Sequence, residues 1–142
     1  MKKTLLSCGV LVLMLANSSA QAVNMAAVKH AHPLPNFMLV MLEYGEKLNL
    51  SEEQQAALKA WGKEHKPLAQ QLVKAITQGE DALHQASLEG ASKADMMAQL
   101  DGLLEKRKEL AEFKTDCRDN MREVLSDEQW EQVIEYYNGM QK

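Results

Sequence analysis

Apolar residues along this chain recur at steps of three and four, and almost nowhere do they alternate. From Glu52 to about Leu88 the positions Leu58, Trp61, His65, Leu68, Leu72, Ile76, Gly79 and Leu83 fall on one face of a helix. Pro67 lies within that run; a proline inside a helix removes one hydrogen bond and crowds the preceding turn, so a bend near His65 is expected within one continuous helix. Glu89, Gly90 and Ala91 close the pattern, and Ser92 with Asp95 restarts it. A second long helix then runs from Lys93 to about Val124, with Met96, Leu100, Leu103, Leu110, Phe113, Cys117, Met121 and Val124 along one drifting stripe. Shorter helical segments flank the pair: one is capped by Asn36 and runs through Lys47, the other extends from Asp127 to Tyr137 and is stopped by Asn138-Gly139. No strand-like alternation and no hairpin signal appears, so the chain reads as all-α.

The polar residues refine that picture. Asp101, Glu105, Glu109, Glu112, Asp116, Asp119 and Glu123 share the far face of the second long helix, whereas Arg107, Lys114, Arg118 and Arg122 lie beside its apolar stripe. On the first long helix Lys59, Lys63, Lys66 and Lys74 form a basic line at helical spacing. Two long helices joined by a short turn pack as antiparallel neighbours. At about 1.5 Å per residue they reach roughly 45 to 55 Å, too thin a pair to cover its own apolar surface, so a second copy is expected to complete the core.

Two of the helix starts carry the same local chemistry. Leu50-Ser51-Glu52-Glu53-Gln54 and Leu125-Ser126-Asp127-Glu128-Gln129 both read LSxxQ. The serine can accept a hydrogen bond from the third helical N–H while the glutamine reaches back to the serine N–H, which is a capping box. The enclosed acids favour the positive end of the helix dipole, and Leu125 with Trp130 has the spacing of a hydrophobic staple. The paired motifs Leu50/Ser51/Gln54 and Leu125/Ser126/Gln129 resemble the LTxxQ pair of the Spy/CpxP family of periplasmic stress proteins, with serine in place of threonine. That resemblance implies an elongated, curved four-helix hairpin with two long antiparallel helices, working as a homodimer with a concave face that holds clients without nucleotide.

The ends of the chain set its compartment and division. Lys2 and Lys3, the apolar run Thr4 to Leu15 and the A-x-A site Ala20-Gln21-Ala22 read as a signal peptide over 1–22, with export to the periplasm after cleavage near Ala22. Residues 23–35 read as an extended arm and 36–142 as a single helical domain. No stretch approaches the roughly 20 apolar residues that span a bilayer. Removing the leader leaves 120 residues with a formal charge of −6, which argues against nucleic acid as partner. It also removes Cys8 and leaves Cys117 alone, as a buried thiol, an intermolecular disulfide or a metal ligand.

Candidate chemistry is sparse. His30 and His32 form an H-x-H pair that could hold zinc, copper or nickel, or could simply be solvated. Cys117 and Met121, one turn apart, could add soft ligands, though both also fit the core. His65 reads as a hydrogen-bonded core residue and His84 as a surface one. No nucleophile and base pair, phosphate loop or carboxylate dyad is evident, so no enzyme is expected. Lys59, Lys63 and Lys66 with Arg107, Lys114, Arg118 and Arg122 could form a mixed basic and apolar surface for unfolded periplasmic proteins. The expected function is therefore an ATP-independent chaperone or envelope-stress adaptor. The alternatives are a metal-binding or metal-sensing protein using His30 and His32, and a regulatory partner of a membrane sensor kinase.

Overall fold

A computed structural model describes residues 33–141, and among them there are four α-helices and no strand. Helix α1 spans Met38–Tyr44 and tightens into a 3-10 turn, Gly45–Leu48; α2 spans Glu52–Leu88, α3 Lys93–Val124 and α4 Asp127–Gly139. The fold class read from the periodicity is the one observed: all-helical, with two long helices packed on each other. The stretch expected to be a signal peptide with its cleavage site, and His30 and His32, lie outside the described residues.

The long helices begin and end where local chemistry dictates. Ser51 and Ser126 each accept from the N–H of the glutamine three residues on, at 3.2 Å, and each donates its own N–H to that glutamine's Oε1 at 2.9 Å. Both capping boxes are thus complete. Ser92 caps α3 by accepting from Asp95 N–H. Between α2 and α3, Ala91 N–H donates to Ala86 C=O at 2.9 Å and Gly90 N–H to Ser87 C=O at 3.2 Å. Gly90, at φ 78°, supplies the left-handed residue that this helix-ending motif requires.

The hairpin is antiparallel, as its contacts show in order: Gln54 meets Val124, Trp61 meets Phe113, and Glu80 pairs with Arg107. Near the turn the helices come close, because an added Cβ on Gly79 would stand 3.2 Å from Leu103 Cδ1. Helix α2 passes Pro67 unbroken. Pro67 and Lys63 are exposed, so the carbonyl that loses its donor faces water.

Two clusters of buried side chains hold the structure. Leu72, Ile76, Leu103 and Leu110 fill the hairpin half. Phe37, Val40, Leu48, Leu58, Cys117, Met121, Leu125 and Val133 fill the half where all four helices meet. A seven-residue helix cannot sustain itself in water, and α1 is held by aromatic contacts to α4. Phe37 meets Trp130 edge-on at 5.1 Å, and Tyr44 stacks on Tyr136 at 4.5 Å.

The short elements depart from the expected bounds. Asn36 does not cap α1; the cap position is Phe37, with no side-chain hydrogen bond, and the helix is fixed by packing instead. It ends at Tyr44 rather than Lys47, because a 3-10 turn carries the chain to Asn49, whose left-handed φ of 47° redirects it into α2. At the other end α4 runs through Gly139, and Met140 stays right-handed. Leu68, placed on the buried stripe by periodicity, is 48% exposed beside Pro67.

Candidate functional site

The two capping boxes, 75 residues apart, meet. Gln54 Nε2 donates to Gln129 Oε1 at 2.8 Å and to Val124 C=O at 2.9 Å; Gln129 Nε2 donates back to Gln54 Oε1 and to Leu48 C=O, both at 3.2 Å. Each amide oxygen therefore accepts both from the serine N–H of its own helix start and from the other glutamine's side-chain Nε2. Ser51, Gln54, Ser126 and Gln129 are brought together as a structural joint, with Leu125 buried beneath and Leu50 half-buried beside it. The sequence showed the boxes but not their contact, because a capping box is complete without a distant partner.

The basic residues divide into two sets. Those flanking the apolar stripe of α3 are committed inside the molecule. Arg107 pairs with Glu80, Lys114 donates to Leu34 C=O at 2.8 Å, Arg118 pairs with Asp119 at 2.7 Å, and Arg122 lies 5.9 Å from the Trp130 ring centre. Partial burial also lowers the Lys114 ammonium below the usual lysine range. The second set, Lys59, Lys63, Lys66 and Lys74, is exposed along one face of α2 and makes no ion pair with the described residues. Over the roughly 22 Å from Lys59 to Lys74, the face they define carries no aromatic side chain, since Trp61 and His65 point away and stack on each other at 4.2 Å. His65 Nδ1 stands 2.9 Å from Trp61 C=O, in keeping with a donated hydrogen bond.

Cys117 and Met121 sit in the core, 5% and 1% exposed. Burial pushes the Cys117 thiol up to about 11, so at neutral pH it is a protonated, packed side chain rather than a thiolate ligand. Among the described residues no three His, Cys, Asp or Glu are grouped to hold a metal ion. His84 is exposed, at the rim of an open cleft between α2 and α3. The thiol's surroundings have a measurable consequence. Below about pH 9 both folded and unfolded chains keep the proton and stability does not depend on it; between about 9 and 11 the unfolded chain ionises first, so stability falls. Cys117→Ser removes that decline, and a maleimide titration of the native protein at pH 8 should label Cys117 only as fast as the core opens. Rapid labelling without unfolding would contradict the burial.

The family comparison matches residues 14–140 to the model described as the YqaJ-like viral recombinase domain. The chain belongs to that family. No curated protein and no solved structure matches it. Membership in the YqaJ-like viral recombinase family overturns the Spy/CpxP resemblance drawn from the paired boxes. The physical reason is that Ser-x-x-Gln specifies how a helix begins; two such starts specify a helical hairpin and nothing about ancestry. With the resemblance go the chaperone or stress-adaptor function, the metal-sensor and sensor-kinase alternatives, and unfolded proteins as partners. The exclusion of nucleic acid falls too. It rested on net charge, whereas a recombinase-type domain engages DNA and a local row of cations suffices for phosphate contact. The YqaJ-like match points toward an enzyme, against the expectation of none. It also begins at residue 14, inside the apolar run read as the core of a leader.

Proposed function

We propose that this chain acts on DNA in a recombinase-type process, and that the exposed lysine face of α2 holds the phosphate backbone. The observation that carries the reading is the coincidence of the family match with four unpaired ammonium groups, Lys59, Lys63, Lys66 and Lys74, on one helical face. Steps of about 6 and 4.5 Å along the helix axis between the first three are comparable to the spacing of successive phosphates. With no aromatic on that face there is no platform for stacking a base, so the contact is to the backbone and independent of sequence.

The test is fluorescence anisotropy of a labelled 30-base-pair duplex across a salt series, with a cleavage assay on the same DNA in magnesium or manganese. Binding should weaken with salt at a log–log slope no steeper than about −3.6, and Lys63→Ala should reduce that slope by about one. The triple change Lys59→Glu, Lys63→Glu, Lys66→Glu should abolish binding while leaving the circular dichroism unchanged, since all three side chains are exposed. Binding by the triple variant as tight as by the parent protein would refute the lysine face. Cleavage reads directly whether the chain is itself the enzyme to which the match points.

The leader reading is tested separately by the intact mass of the protein isolated from cells. Removal of 1–22 would take nine residues of the family match with it; a DNA-directed role predicts that they are retained.

A further inference from the structure

The two long helices place opposite charges on opposite edges of the hairpin. Leu72 and Ile76 of α2 pack with Leu103 and Leu110 of α3 along the seam between them. At about 100° per residue, Lys59, Lys63, Lys66 and Lys74 fall within about 80° of arc on the side of α2 turned away from that seam. Glu112, Asp116, Asp119 and Glu123 fall within about 60° on the side of α3 turned away from it, and all four are exposed. Glu112, Asp116 and Glu123 make no ion pair among the described residues, and Asp119 pairs with the exposed Arg118 on its own helix. Lys108, which borders the same edge farther along, pairs with Glu105.

The charges also stand at matching heights. Because the helices are antiparallel, equal numbers of residues counted from the Gln54–Val124 contact reach the same level on both. Five residues on, Lys59 is level with Asp119; twelve on, Lys66 is level with Glu112. Lys63, between them, is one residue from the level of Asp116. We infer that the lysine edge of α2 docks the acidic edge of α3 from a second copy lying alongside, with Lys59, Lys63 and Lys66 facing Asp119, Asp116 and Glu112. A sideways shift without rotation brings the two edges together in that register. The contact is heterologous: it uses one edge from each copy and leaves the others open, so copies add in a row rather than close as a pair. Two lysine edges, or two acidic ones, repel. Exposed ion pairs are weak and screened by salt, so the row forms at high protein concentration and low ionic strength. The inference uses charge and register and stands without the DNA reading. One consequence does rest on that reading: duplex and neighbouring copy compete for the same lysines.

Sedimentation of the full chain without DNA tests the row. At about 20 mM salt the weight-average mass should rise with protein concentration past that of a dimer, and at about 0.5 M salt it should fall to that of the monomer. The triple change Lys59→Glu, Lys63→Glu, Lys66→Glu should abolish association, and so should Glu112→Lys, Asp116→Lys, Asp119→Lys. Circular dichroism should be unchanged in both, because all six side chains are exposed. An equimolar mixture of the two variants should regain association, since each offers the edge that the other lacks. The second variant keeps the lysine edge, so it retains any DNA binding while losing association, and the two readings fail independently. Association that survives about 0.5 M salt, levels off at a dimer or persists in either triple variant would overturn the inference. So would a mixture, or a parent protein, that stays monomeric at about 20 mM salt.

Discussion

Gln54→Ala should destabilise the protein by about 2–4 kcal/mol in urea unfolding, far more than removal of an ordinary surface glutamine. The side chain is an acceptor for Ser51 N–H and for Gln129 Nε2, and a donor to Val124 C=O and Gln129 Oε1. Truncation leaves several part-buried polar groups without partners, each costing about 1–3 kcal/mol to the extent that water cannot reach it. Gln129→Ala removes the reciprocal set, including the donor to Leu48 C=O. Because the two amides bond each other, the double variant should lose less than the sum of the singles, with a coupling of about 1–2 kcal/mol. Gln54→Glu separates the two duties: a carboxylate still accepts from Ser51 but cannot donate to Val124 or Gln129. If Gln54→Glu were as stable as the parent, the joint between the boxes would be dispensable and only the helix start would matter.

Leu110→Ala should cost about 2–5 kcal/mol. Leu110 is 1% exposed and is one of four buried residues in the hairpin half, where, among the described residues, α2 and α3 supply the packing. Among the described residues no third element packs on this half, so most of the cavity should persist. For a chain of this size each kcal/mol lowers the melting temperature by several degrees, which predicts a drop of about 10 °C or more by differential scanning calorimetry. Leu104→Ala, six residues earlier on the same helix and half exposed, should change stability by no more than about 0.5 kcal/mol. Similar losses for the two would mean that the hairpin core does not lie where Leu110 and Ile76 place it.

How far the fold was legible follows from where its instructions reside. The starts at Ser51, Ser92 and Ser126 and the ends at Leu88 and Val124 agree with the sequence reading because caps, the Gly90 turn and helical periodicity act within a few residues. Helix α1 was read less well, since its bounds come from Trp130, Tyr136 and Tyr137 pressing on Phe37 and Tyr44 rather than from its own residues. The basic flank of α3 was visible as spacing. Its commitment to Glu80, Leu34 C=O and Trp130 was not, because those partners stand on other parts of the chain. The lysine face of α2 needed only the helical wheel. Family membership could not be drawn from the boxes, whose residues answer to the physics of helix initiation.

The division of the core into two clusters makes molecular length adjustable. Beyond Trp61 and Phe113, among the described residues, the hairpin is held by α2 against α3, with no closing layer there that fixes how many turns it must contain. Insertion or deletion of a matched heptad in both helices would keep every remaining contact in phase and would carry the Gly90 turn outward or inward as a unit. Reach, unlike the crowded four-helix end, is a dimension along which relatives of this chain can diverge without relearning how to fold.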